Sequence, residues 1–351
     1  MSESSSEPPA RRPRYRGTHP RMFGEKYKEH QPERYPDTVS KVLSSGRTPA
    51  GMHRPILVRE TLQALALRPG QVVVDCTLGY GGHAGEFLAA VQPGGRLLGF
   101  DVDPLELPGT EARLRAAAES PDSLQVWRRN FAGAAQILAV EAPGGVDALF
   151  ADLGVSSMQL DDPARGFAFK VDGPLDMRMN PARGLTAAEL LSKLEPAELA
   201  RLLTDNADEP RAEELAHGIV RAHARQTLNS TRALAAAVQK IVQQISPAAD
   251  DADATVRRVF QALRIAVNDE FGSLESLLRR LPECLKPGGR VAILAFHSGE
   301  DRRVKAAFKR GLEDGAYATI SRDVVRASPE EQRSNPRSSS AKLRFAVRNA
   351  E

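Results

Sequence analysis

Four glycines in seven residues, Gly79-Tyr80-Gly81-Gly82-His83-Ala84-Gly85, follow directly on an apolar run, Val72-Val73-Val74-Asp75-Cys76. Glycines at such a place let the backbone approach a ligand, and a helix starting there offers N–H groups with no partner inside the helix. The spacing Gly79-x-Gly81-x-x-Ala84 is a loose dinucleotide pattern and weak by itself. Asp101 sharpens it, because it closes a second apolar run 20 residues past Gly81. A carboxylate at that place accepts from both hydroxyls of a ribose. Asp75 lies before the glycines. A phosphate gains nothing from a nearby carboxylate, whereas a ligand carrying an ammonium and a sulfonium does. The balance tilts from a nicotinamide dinucleotide towards S-adenosylmethionine, with both readings open at this point.

These residues need elements to position them. Ile56–Leu67 has helical apolar spacing, closed by Pro69-Gly70. Strand-like runs follow at Val72–Cys76, Arg96–Asp101, Leu124–Trp127 and Val146–Asp152, with helical stretches at Glu86–Val91 and around Glu111–Glu119. Strand and helix in alternation indicate a parallel α/β sheet. The alternation then stops. Residues 175–268 read as helices at Ala187–Lys193, Pro196–Thr204, Ala212–Arg225, Thr231–Ile245 and Thr255–Phe271. The sheet resumes with Leu285–Phe296, which repeats the Pro-Gly-Gly-Arg device of residues 93–96. Final strands are expected at Tyr317–Val325 and Leu343–Val347, with a loop over Ser328–Ala341. Ligands bind beyond the carboxyl ends of parallel strands. Asp101, Asp152, the Gly81 turn and Phe296-His297-Ser298 are therefore expected on one rim.

The expected organisation is an arm at 1–50, a sheet domain in two parts at 51–174 and 269–351, and a helical insertion at 175–268. The arm carries seven prolines and few aliphatic residues, too little apolar surface to offset its ordering entropy. Tyr15, Phe23, Tyr27 and Tyr35 lie among its arginines; stacking on nucleic acid and tethering to the chain's own domain explain that pattern equally. The 351 residues carry a net charge of +3 that is unevenly spread. Residues 1–50 hold ten basic and six acidic side chains, and residues 301–351 hold twelve and seven. Basic ends around an acidic middle suit a polyanionic partner, though the excess is modest. Two cysteines, Cys76 and Cys284, exclude a disulfide scaffold and a four-cysteine zinc site. His217 and His223 lack metal-ligand spacing to carboxylates, and no metal is expected. No run of 18 apolar residues exists, so no membrane helix is expected.

The longer motifs carry a specific resemblance. Asp75-Cys-Thr-Leu-Gly-Tyr-Gly-Gly-His83, Asp101-Val-Asp103-Pro104 and Asp152-Leu-Gly-Val-Ser-Ser-Met-Gln-Leu-Asp161-Asp resemble the RsmH (MraW) family. So do Arg165-Gly-Phe-Ala-Phe-Lys-Val-Asp-Gly-Pro-Leu-Asp-Met-Arg-Met-Asn180-Pro, Arg264-Ile-Ala-Val-Asn268, Phe296-His-Ser, Glu300-Asp-Arg302 and Asn335-Pro336-Arg337. His53 and Glu60 also fit the family pattern. The resemblance implies a class I Rossmann-like methyltransferase with an inserted all-helical domain. It implies a cytoplasmic enzyme of ribosome biogenesis that uses S-adenosyl-L-methionine to methylate the exocyclic N4 of one cytidine in the decoding region of 16S rRNA. Carried over by position, Gly81, Gly82, His83, Asp101, Phe131, Asp152 and Gln159 contact the cofactor, and Asp152 faces the target amine. Arg165, Arg178, Arg302 and Arg337 are candidates to grip RNA. The expected partner is 16S rRNA in the small ribosomal subunit, with no membrane and with a homodimer allowed.

Overall fold

A computed structural model describes residues 55–246 and 251–350. The arm at 1–50 and His53 lie outside the described residues. The chain runs α1 (Val58–Leu65), β1 (Val72–Asp75), α2 (Gly82–Val91), β2 (Arg96–Asp101), α3 (Leu107–Ala117), β3 (Leu124–Arg128), α4 (Ala134–Glu141) and β4 (Val146–Asp152). It continues through α5 (Ser157–Asp161), α6 (Ala187–Leu191), α7 (Pro196–Ala207), α8 (Ala212–Arg225), α9 (Thr231–Ile245), α10 (Ala252–Asn268) and α11 (Glu270–Cys284). It ends with β5 (Leu285–Ala295), α12 (Ser298–Glu313), β6 (Tyr317–Ile320), α13 (Pro329–Ser334) and β7 (Lys342–Arg348).

The seven strands form one sheet in the order β3-β2-β1-β4-β5-β7-β6. The first five are parallel, and β7 is antiparallel between β5 and β6. The chain moves outward from β1 through β2 to β3, then returns to lay β4 and β5 on the other side of β1. Strand order thus reverses between β1 and β4, and a crevice opens at such a point beyond the carboxyl ends. This is the expected Rossmann-like sheet.

Strand side chains alternate between the faces, so successive residues enter different cores. Val74, Leu98, Leu149 and Ile293 pack with α4, α11 and α12, while Val73, Leu97, Phe150 and Leu294 pack with α1, α2 and α3. Each fully buried Val, Leu or Phe contributes about 1.5–3 kcal/mol relative to exposure. Between β4 and β5 the helices build a third core, with Leu199, Leu215, Ile219, Val238, Val259 and Leu263 among its members. No helix among the described residues is long and apolar enough to cross a membrane.

Three expected elements differ. The helix expected over 255–271 ends at Asn268, and α11 starts at Glu270. The residue between them, Asp269, takes a left-handed conformation with φ 48°. Asp tolerates that conformation, so the chain turns without a glycine or proline to announce it. The segment at 328–341 is not a plain loop. Ser328 caps α13 by accepting the Glu331 N–H at 3.1 Å, Pro329 opens the helix, and a 3-10 turn follows at Pro336–Ser340. Ser-Pro-Glu-Glu is a helix start. Finally, β6 stops at Ile320, and Val325 rejoins the sheet by a single bridge to Leu343.

Candidate active site

The glycine turn is shaped from several sides. Gly79 and Gly81 adopt φ of +47° and +83°, a region that favours glycine. Gly81 precedes α2 in a left-handed conformation, and no side chain caps that helix start. A helix start of this kind carries partial positive charge. The Gly79 N–H donates to Asp101 Oδ2 at 2.7 Å, so Asp101 holds the turn from the end of β2. The Thr77 N–H donates to Asp75 Oδ1 at 3.0 Å, and the Asp152 N–H donates to Thr77 Oγ1 at 2.7 Å, which ties the end of β4 to that of β1.

Three carboxyl groups therefore meet at the ends of β1, β2 and β4. Burial, with Asp101 nearby, pushes Asp75 up to about 7. Burial also raises Asp101, whose Oδ1 accepts the Asp103 N–H at 2.8 Å. Asp152 is raised well above the ordinary carboxylate range by burial and then by Asp75 and Glu300. His83 does not neutralise them. Its Nε2 donates to the Ile56 carbonyl at 2.9 Å, and burial lowers its pKa to about 4, so at neutral pH it is uncharged. Its Nδ1 lies 3.7 Å from Asp152 Oδ2. Three carboxyls whose proton affinity is raised chiefly by burial, with Asp101 acting on Asp75 and Asp75 on Asp152, form a site that a positively charged ligand relieves.

Gln159 joins this group through Asp103, and Phe131 lies just after β3. The Gln159 amide is engaged on both sides: Oε1 accepts the Ser156 N–H at 2.9 Å, and Nε2 donates to Asp103 Oδ2 at 2.8 Å. Phe131 follows β3 in a 3-10 turn and packs against the core under α4 and α11.

The four arginines expected to hold RNA are all engaged with the protein. Arg165 is the most deeply buried of the four. It is 7% exposed, donates to Asp103 Oδ2 at 2.8 Å, and donates to the Met179 and Arg178 carbonyls at 2.8 and 3.2 Å. It is a buried strut between the end of β2 and the loop at 177–179. Arg178 forms a two-pronged pair with Asp176, both contacts at 2.8 Å. Arg302 does the same with Asp208 at 2.9 and 2.8 Å, and Arg337 donates to Asp161 at 2.9 Å. Asn268 anchors the loop from the other side, donating to the Met177 carbonyl at 2.8 Å and accepting the Met179 N–H at 2.7 Å.

A second polar cluster ends β5. His297 Nε2 lies 3.1 Å from Glu300 Oε1, and Glu300 Oε2 accepts the Phe296 N–H at 2.8 Å. Arg264 pairs with Glu270 through two contacts of 2.8 Å. Burial works to raise Glu300, but the His297 hydrogen bond and the charges of His297 and Arg264 outweigh it and hold Glu300 low. Sequence reasoning gave Glu300 and Arg264 no role of their own. Among the described residues no group of three or more His, Cys, Asp or Glu side chains is arranged to hold a metal ion.

The sequence pattern of the MraW methylase family matches residues 50–349. The chain belongs to that family. It is 48% identical over 342 residues to ribosomal RNA small subunit methyltransferase H 1 of Lachnoclostridium phytofermentans, covering 96% of this chain and 93% of the relative. It is 46% identical to ribosomal RNA small subunit methyltransferase H 2 of Alkaliphilus metalliredigens, covering 99% of each. A crystal structure of a putative rRNA-methylase from Clostridium thermocellum is 12% identical, with a TM-score of 0.39, over 83% of this chain and 96% of that one. Family membership makes the protein a methyltransferase, and the sheet described above is its Rossmann-like framework.

The residues present fit S-adenosylmethionine. Its sulfonium and ammonium suit the acidic cluster of Asp75, Asp101 and Asp152, its ribose suits Asp101, and its carboxylate suits the uncapped start of α2. A dinucleotide pyrophosphate would meet like charge there.

Proposed function

We propose that this protein transfers a methyl group from S-adenosylmethionine to the exocyclic N4 of one cytidine in the decoding region of small-subunit rRNA. The observation that carries the reading is the convergence of Asp75, Asp101 and Asp152 with the glycine turn, where the strand order reverses between β1 and β4. When bound, S-adenosylmethionine supplies an electrophilic methyl on a sulfonium. The chain's residues do the rest. Asp101, Gly81, Gly82 and His83 frame the cofactor, and Phe131 and Gln159 complete its pocket. Asp152 accepts a hydrogen bond from the target amine, which draws the nitrogen lone pair out of conjugation with the ring. Asp152, ionised beside the bound sulfonium, also receives the proton released after transfer. Holding the nitrogen in line with the methyl at close range accounts for much of the acceleration. The target base must leave its stack to reach this crevice.

The same reading assigns residues 175–268 as an inserted domain within a methyltransferase domain of 51–174 and 269–351, with 1–50 as an arm. It places the enzyme in the cytoplasm, where small subunits assemble, and allows a homodimer. The test is methylation of small subunits isolated from cells lacking the protein, followed by nucleoside analysis. N4-methylcytidine is the expected product. Asp152→Ala should abolish transfer, and wild-type turnover in that variant removes Asp152 from the mechanism.

A further inference from the structure

We propose that Thr110 and Arg113 of α3 are positioning residues for the methyl donor, acting by locking the peptides of the glycine turn. The inference rests on the reading that this turn binds S-adenosylmethionine. The Thr110 hydroxyl donates to the Gly79 carbonyl at 2.7 Å. Arg113 Nη2 donates to the Tyr80 carbonyl at 2.8 Å and to Thr110 Oγ1 at 3.0 Å. The Arg113 guanidinium carbon also sits over the Tyr80 ring, 3.5 Å from its centre. One helix thus takes two successive carbonyls of the turn through a connected set of donors. Thr110 is fully buried, and Arg113 beside it is partly exposed.

The consequence follows from peptide planarity. Carbonyl and N–H of one peptide point in opposite directions. Holding the Gly79 carbonyl against α3 therefore aims the Tyr80 N–H away from α3. Gly79 and Gly81 are both left-handed, and glycine leaves a turn free to flip its peptides. Two tied carbonyls remove that freedom before a ligand arrives. The fit on the third side is as close. A Cβ on Gly81 would lie 3.0 Å from the Thr110 methyl and 3.6 Å from Leu114. Because the Gly79 N–H also holds Asp101, a turn released from α3 carries the ribose-binding carboxylate with it. Pre-ordering of this kind raises affinity by removing an ordering cost from the binding step.

The experiment is calorimetric titration of S-adenosylmethionine into the full chain and its variants, with steady-state kinetics alongside. Arg113→Met and Thr110→Val are each expected to raise the Kd about ten-fold or more, the scale of one hydrogen bond to a charged or buried group. Thr110→Ser keeps the hydroxyl and should recover most of what Thr110→Val loses. KM for the donor should rise with Kd, while kcat at saturating donor and KM for RNA hold. If Arg113→Met fails to fold, the Thr110 pair carries the test. Wild-type Kd in both Arg113→Met and Thr110→Val overturns the lock alone. Lack of binding by the wild type overturns the cofactor reading and the lock with it.

Discussion

Replacing Arg165 with Ala separates a buried strut from an RNA contact. Arg165 and Asp103 are 7% and 1% exposed and meet at 2.8 Å. Removing the guanidinium leaves the Asp103 carboxylate buried with two donors, the Leu105 N–H at 2.9 Å and Gln159 Nε2 at 2.8 Å. It also strips the Arg178 and Met179 carbonyls of a donor. Breaking a buried pair from one side costs about 3–5 kcal/mol, because a charge stays behind without its partner. At about 1.5 °C per kcal/mol for a chain of this length, the Tm should fall by roughly 5 °C. Urea and thermal unfolding followed by circular dichroism measure it. Removing both charges, with Arg165→Met and Asp103→Leu together, should cost less than the sum of the single changes, since neither charge is then stranded. A variant as stable as the wild type that has lost RNA affinity would refute this reasoning and return Arg165 to the RNA surface.

Two further predictions concern the ligands. Asp75 is raised to about 7, so below that pH the unliganded site holds a proton there. A cationic ligand favours the ionised carboxylate, so binding lowers this pKa and releases a proton. Affinity for S-adenosylmethionine should therefore rise with pH through about 7, and Asp75→Asn should remove the part of the rise centred there; titration calorimetry at several pH values reads this, and a pH-independent wild-type Kd contradicts it. RNA affinity should fall steeply with salt through counterion release, with exposed Lys170 and Arg183 contributing more to the slope than Arg178, which must first leave Asp176. A filter-binding curve that is flat in salt contradicts a phosphate-gripping surface.

The sheet was legible in the sequence because its central strands are short buried apolar runs, β2 and β4 each following a glycine pair. β2, β4, α8 and α9 have the bounds that the sequence indicates. The site was legible where chemistry and position coincide, at the glycine turn and at Asp101 and Asp152, each ending a recognisable strand. Arg165 was not legible. An arginine among polar neighbours reads as surface on residue type alone, and only the fold brings Asp103 to it, 62 residues away in sequence. Thr110 and Arg113 gave no signal, since their partners are backbone carbonyls and any residue supplies those. The break at Asp269 was hidden because the apolar spacing of α10 continues into Phe271 and Leu274 of α11.

The central claim concerns where the methyl group goes. Small subunits from cells lacking the protein should be incubated with the wild-type chain and labelled S-adenosylmethionine, and the decoding-region fragment of the rRNA should be sequenced by mass spectrometry. The account predicts one added methyl group on a single cytidine, recovered as N4-methylcytidine. Label on another base, on another position of cytosine, or on protein would contradict it.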